Sequence, residues 1–269
     1  MLTIIWFNTC HLFIALICTY IFLVDEDFIL YSQIASNCPN LTEISGRSID
    51  THGLIAFGAS GIHSELRHIY FKLFKSTTNT AIDNDHTIEI FARGCPNLTN
   101  FCISADEHRV SVTDASVLSL TTYCPHITHL SLRGWNNITD TSLLYLSTLS
   151  SLLELDISYC YDLTSINIQA FLLTTPKLRS LIFCEVSEKR YDTESYIDNA
   201  LLLTMSVSCP DLTRLNFTID NSVNVTDECL CEMVRGCVLL QELSIGAIKL
   251  YIYDVYVRVP VAPEYLYRI

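Results

Sequence analysis

Two hydrophobic rhythms take turns along this chain. The first is the hexapeptide L-x-x-L-x-L. It reads "LRHIYF" at 66–71, "LTNFCI" at 98–103, "ITHLSL" at 127–132 and "LLELDI" at 152–157. It returns as "LRSLIF" at 178–183, "LTRLNF" at 212–217 and "LQELSI" at 240–245, while "LTEISG" at 41–46 is degenerate at its last position. Alternation with period two predicts short strands with one buried face. The second rhythm is helical: Val117, Leu118 and Leu120, or Leu143, Leu144 and Leu146, form apolar stripes that predict short amphipathic helices. Val112-Thr113-Asp114, Ile138-Thr139-Asp140 and Val225-Thr226-Asp227 precede such stripes, and a Thr or Asp there can accept a backbone N–H at a helix start. The helices should stop at "CPNL" (38–41 and 95–98), "CPHI" (124–127) and "CPDL" (209–212). Proline cannot donate to a helix ladder and drives the residue before it out of the helical region.

The leading apolar residues stand at 41, 66, 98, 127, 152, 178, 212 and 240, in steps of 25, 32, 29, 25, 26, 34 and 28. These steps lie near the leucine-rich-repeat period. One strand and one helix cannot bury their own apolar faces, whereas stacked copies can. The expected fold is therefore an α/β solenoid, a horseshoe arc with parallel strands on the concave face and helices on the convex face. Repeats are expected over 25–246. Residues 1–24 contain no Asp, Glu, Lys or Arg, which fits a signal peptide or signal anchor, or a degenerate or mispredicted start where an earlier strand or domain once stood. No Lys or Arg precedes Arg47, so the usual positive flank of an anchor is missing. Residues 247–269 break the pattern and read as a C-terminal cap or tail. The polar inserts 74–85 and 185–199 read as loops.

The net charge is −13, from 16 basic and 29 acidic residues, without a dense basic run. That argues against a nucleic-acid partner. Of the twelve cysteines, Cys38, Cys95, Cys124, Cys209 and Cys237 share one repeat position. Disulfides or a metal are competing readings, but that position suits a small buried side chain with a weak donor, in a reducing compartment. Five N-x-S/T sequons occur, at Asn40, Asn97, Asn137, Asn216 and Asn224. Four of them are generated by the repeat's own turns. No G-x-S-x-G, H-E-x-x-H or P-loop pattern is present and the eight histidines are scattered, so no enzyme activity, cofactor or metal is expected.

What remains is binding. Period two puts the residues between the buried leucines on the concave surface, in rows such as His68, Tyr70 and Lys72, or Glu154, Asp156 and Ser158. Aromatic residues and arginine dominate protein hot spots. The candidate ligand-binding residues are Tyr70, Arg133, Trp135, Tyr159 and Arg214. Simple solvent exposure is the alternative for each, as is packing into the turns between repeats for Trp135 and Tyr159. The rows mix Arg47, Lys72 and Arg133 with Glu154 and Asp156, which fits a protein ligand of mixed charge.

The pattern C-P-x-L-x-x-L-x-L, then I-T-D, then a helix resembles the cysteine-containing leucine-rich repeat of F-box/LRR proteins, substrate receptors of SCF ubiquitin ligases. The clearest stretch is "HITHLSLRGWNNITDTSLLYLSTLSSLLELDISYCYDLTS" (126–165), where Cys160 takes the family's cysteine place after a strand. No F-box is found in residues 1–24. The resemblance implies a cytoplasmic or nuclear protein-binding module for ubiquitin-dependent degradation, with ubiquitin-ligase subunits as further partners. A membrane-anchored or secreted recognition receptor, built on residues 1–24 and the sequons, is the alternative.

Overall fold

The alternating hexapeptides become strands and the stripes become helices. The computed structural model describes residues 20–23, 34–59, 61, 64–73, 83–105, 111–184, 197–219, 225–247 and 255–258. The chain divides into two compact units, Met1–Asn137 and Ile138–Ile269. The first runs β1 (Tyr20–Leu23), β2 (Glu43–Ile49), α1 (Thr51–Ala59), β3 (His68–Leu73), α2 (Asn84–Gly94), β4 (Asn100–Ala105), α3 (Asp114–Tyr123) and β5 (His129–Ser131). Each strand pairs in parallel with the next. The second runs α4 (Asp140–Leu146), β6 (Glu154–Asp156), α5 (Ser165–Thr174), β7 (Ser180–Phe183), α6 (Asn199–Ser208), β8 (Arg214–Ile219), α7 (Asp227–Gly236), β9 (Glu242–Ala247) and β10 (Val255–Arg258). Strands β6 to β9 are again parallel in sequence order. The fold is thus α/β and solenoid-like, of the leucine-rich-repeat type.

Both flanking segments contribute a strand. Tyr20–Leu23, the end of the apolar run, pairs with β2. Val255–Arg258 pairs antiparallel with β9. The rest of residues 1–24 and 247–269, apart from Ala247, lies outside the described residues. So do most of the inserts 74–85 and 185–199, and Asn224. No helix among the described residues is long and apolar enough to cross a membrane.

The leading apolar residue of all eight hexapeptides is buried, from Leu41 to Leu240. In register, Ile69 lies beside Phe101 and Phe101 beside Leu130. Leu155, Leu181, Leu215 and Leu243 form the matching row of the second unit. Each such side chain contributes about 1.5–3 kcal/mol by leaving water. The degenerate first copy is repaired by a bulge. Gly46 stands where a core residue is due, and the register of β2 against β3 shifts between Ser45 and Ser48. Ile49 thereby lies opposite Leu73, and both are buried. Ser48, not Arg47 as the alternation predicts, falls opposite Lys72.

The Cys-Pro turn works as expected and also ties one repeat to the next. Cys95, Cys124 and Cys209 end their helices at φ −127°, −121° and −120°, with ψ near 60°, outside the helical well. Their carbonyls accept the N–H of Leu98, Ile127 and Leu212 three residues on. The Cys124 and Cys237 thiols face the preceding repeat. Cys124 Sγ donates to Cys95 O at 3.4 Å and Ala92 O at 3.5 Å, and Cys237 Sγ donates to Met205 O at 3.7 Å. The ten cysteines among the described residues are all thiols, none in a disulfide.

The Thr-Asp pair at helix starts divides its labour. Thr113, Thr139 and Thr226 cap their own helices, accepting from the N–H of Ala115, Thr141 and Cys229. An acidic residue in the first turn of α2 and of α4 reaches across to the following repeat. Asp140 accepts from Thr164 N and Thr164 Oγ1, both at 2.8 Å, and from Asn167 Nδ2 at 2.9 Å. Asp85 accepts from Thr113 N at 2.8 Å, Thr113 Oγ1 at 2.6 Å and the Ser116 hydroxyl. Such charge-assisted bonds are the stronger kind.

Burial pushes the Cys124 thiol up to about 12 and the Cys237 thiol up to about 11, from an ordinary 9.0. Burial, then the neighbouring Cys237, raises Cys209 to about 12, and Cys95 is raised further by burial and by Cys124. The unfolded thiols ionise near pH 9 while the folded ones keep their protons, so the folded state binds more protons above that pH. Stability is intact below pH 9 and falls towards pH 11–12, by about 1 kcal/mol per pH unit per thiol. Chemical denaturation of wild type and Cys124→Ala between pH 8 and 11 checks this. The variant should show the shallower decline.

Candidate protein-binding surface

Alternation along each strand leaves one sheet face unfilled by core residues. In β3 the burial runs Ile69, Phe71, Leu73 inward, with Lys72 exposed and His68 and Tyr70 half-buried. The inward face meets the helices, as the Phe91–Phe101 contact between α2 and β4 shows at 6.2 Å between rings. The opposite, open face of the first unit carries three rows set by register. Glu43, His68, Asn100 and His129 form the first row. Ser45, Tyr70, Cys102 and Ser131 form the second. Lys72 and Ser104 lie side by side in the third.

Tyr70 sits in the middle of this face. Its hydroxyl accepts from Asn100 Nδ2 at 3.1 Å, and its ring lies parallel to that of His68 with centroids 6.5 Å apart. Arg133 is exposed just beyond β5, and its carbonyl accepts the N–H of Ala105 at 2.8 Å. Tyr70 and Arg133 thus belong to one face, about two strand spacings or 10 Å apart across it.

Trp135 does not belong there. It is fully buried, its Nε1–H donates to Ile103 O at 2.9 Å, and its ring meets Phe101 edge-on at 6.0 Å. The expectation of a rim hot spot is therefore corrected: an indole needs a partner for its N–H when buried, and the carbonyl of the preceding strand supplies it. The turn that tucks it in needs Gly134, whose φ is +78° and where a Cβ would meet Ala105 O at 2.4 Å.

In the second unit the open rows are Glu154, Ser180, Arg214 and Glu242, then Asp156, Ile182, Asn216 and Ser244. Arg214 is partly satisfied from within. Its Nε meets Glu242 at 2.9 Å and its Nη1 approaches Glu154 at 3.9 Å, so the guanidinium spans the strand of Ser180 between them. Tyr159 is half-buried beyond β6 in the left-handed region, φ +62°, with its N–H bonded to Cys184 O at 3.1 Å and its ring edge-on to Tyr161. Asn216, one of the sequon asparagines, accepts from Cys184 Sγ at 3.2 Å on this strand face.

Among the described residues no three His, Cys, Asp or Glu side chains converge as a metal site requires. Two residues that the alternation places on the concave face, but that are not among the five candidates, complete the faces: Asn100, which orients Tyr70, and Glu242, which holds Arg214. Both immediately precede a buried strand residue, Phe101 and Leu243, in register with His68 and Arg214, which is the signal that would have found them.

No protein-family profile matches the chain, and no curated protein does. Among solved structures the chain is similar to one in the crystal structure of the Rad7 and Elc1 complex in yeast. The identity is 15%, the alignment covers 77% of this chain and 77% of that one, and the TM-score is 0.38. It is also similar to the leucine-rich repeat-containing protein LegL7 from Legionella pneumophila, at 13% identity over 85% of this chain and 83% of that one, with a TM-score of 0.38.

The two aromatic candidates of the first unit should part company on mutation. Trp135→Ala removes a filled core position and should cost about 3–5 kcal/mol in urea denaturation. Tyr70→Ala, at the half-exposed face, should cost less than half as much.

Proposed function

We propose that this chain is a protein-recognition module whose open sheet faces take up a polypeptide ligand, and that it serves as a substrate receptor in SCF-type ubiquitin-dependent degradation. The observation that carries the binding role is the open face of the first unit. There Tyr70 is held in place by Asn100 and flanked by Lys72 and Arg133, on strands whose other face is fully committed to the core. A rigid aromatic with polar and cationic neighbours on regular strands is the arrangement that protein hot spots favour. Binding, not catalysis, is the role proposed.

The degradation role rests on the cysteine-containing repeat. The buried thiols of Cys124 and Cys237 donate to backbone carbonyls of the preceding repeat, which requires them reduced. That supports a cytoplasmic or nuclear setting, since thiols persist where disulfides do not form.

The test is affinity purification of the tagged chain from cells, with the bound proteins identified by mass spectrometry. Ubiquitin-ligase subunits should co-purify, and a substrate should be lost when Tyr70→Ala and Arg133→Ala are combined. Ligase subunits absent from repeated purifications would remove the degradation role. A substrate retained by the double variant would remove the binding face.

A further inference from the structure

We propose that the outer surface of α4–α6 is where two copies of this chain pair about a twofold axis. Two of these helices depart from the pattern of an ordinary outer helix. α5 and α6 contain no Asp, Glu, Lys, Arg or His. Each buries one apolar stripe: Ile168, Phe171 and Leu172 on α5, and Leu201, Leu202 and Met205 on α6. Each then shows solvent a second stripe at helical spacing. Ile166, Ala170 and Leu173 stand exposed on α5, and Ala200, Leu203 and Val207 on α6. An outer helix ordinarily turns charged residues to water, as α7 of the same unit does with Asp227, Glu228, Glu232 and Arg235. A helix that is apolar on both faces is expected to be covered on both.

The stripes lie side by side. α4 packs on α5 and α5 on α6, and Thr204 Oγ1 of α6 donates to Gln169 Oε1 of α5 at 3.3 Å. Ile166 is 72% exposed, Leu173 66%, Leu203 42%, Val207 80% and Leu144 of α4 65%. At roughly 100 Å² of apolar side chain each when fully exposed, the scale that their transfer free energy implies, they present about 300 Å². The same patch on a second copy doubles that, and an interface between like copies is about 65% apolar. The pair therefore buries about 1,000 Å² in all, the least that a specific interface needs. Charge selects the occupant. A chain of net charge −13 repels its own copies, but least where two uncharged helices meet their equals. These helix faces give a charged partner nothing to pair with, whereas they match themselves. A twofold axis brings identical patches together and closes the assembly at two.

The experiment is sedimentation velocity on the full chain, from about 1 to about 300 μM. Wild type should pass from monomer to a species of twice 30.5 kDa, half-associated at about 10–100 μM. Two pairs of substitutions are run beside it. Ile166→Glu with Val207→Glu puts charge into the patch, and Leu173→Gln with Val207→Gln removes apolar contact without changing charge. Either pair should weaken association at least about tenfold. Thr122→Glu with His126→Glu, at exposed positions of the first unit, adds two carboxylates elsewhere and should leave association within about twofold. All these side chains are exposed, and circular dichroism confirms that each variant folds. A wild type that stays monomeric throughout overturns the proposal. So does a dimer that both patch pairs leave intact, growth into larger oligomers without a stop at two, or equal weakening by the first-unit pair. Flotation with phosphatidylcholine vesicles tests the other occupant an apolar patch could have. Monomeric protein that floats with the vesicles, and is released from them by the neutral pair, overturns the second copy in favour of a lipid surface.

Discussion

A repeat of this chain cannot satisfy its own turns, and the stack exists because its neighbour can. Where a helix gives way to a strand, carbonyls face away from their own repeat. The following repeat supplies the donors. Thr42 O, Arg67 O and Thr99 O each accept two successive N–H groups at the start of the next strand, and Leu153 O, Arg179 O and Thr213 O do the same in the second unit. Threonine hydroxyls add a third donor, as from Thr99 to Arg67 O at 3.1 Å and Thr213 to Arg179 O at 2.9 Å. The cysteine thiols donate likewise at the helix ends, and at the helix starts Asp85 and Asp140 accept from the following repeat. A buried polar group left without such a partner costs about 1–3 kcal/mol, so the repeats are held in register by what misalignment would leave unmet.

Because stacking is settled by the buried leucines and these turn contacts, the open faces are not needed for the fold and can differ between the units. They do differ. The first presents Tyr70, whose hydroxyl accepts from Asn100 of the next strand. In the second Arg214 is taken up by Glu242 and Glu154, so the residue type most often found at hot spots serves here in large part to tie β6, β8 and β9 together. The pair is partly exposed, and such surface bridges contribute little to stability. Its effect is to occupy the face.

The strands, the turns and the inward side chains were legible in the sequence, because period two and the Cys-Pro break are both dictated by backbone geometry. All eight leading residues proved buried, and the threonine caps fell where the I-T-D motif put them. What could not be read there depended on the next repeat. Asp85 and Asp140 look like cap residues in one dimension, and their true partners lie 24 to 31 residues on. Trp135 follows the strand and so seemed to reach the rim, but the left-handed turn at Gly134 folds it under Ile103. The bulge at Gly46 likewise moved Arg47 out of its row, because only the neighbouring strand shows that Ile49 must meet Leu73.

The claim that neighbouring repeats supply one another's missing partners is tested most directly at Asp85. Native-state hydrogen exchange would be measured at the Thr113 amide in wild type and Asp85→Ala, alongside urea denaturation. The account predicts loss of about 1–3 kcal/mol and faster exchange at Thr113, with the α2 amides that bond within their own helix less affected. An unchanged stability with Thr113 still protected would contradict it.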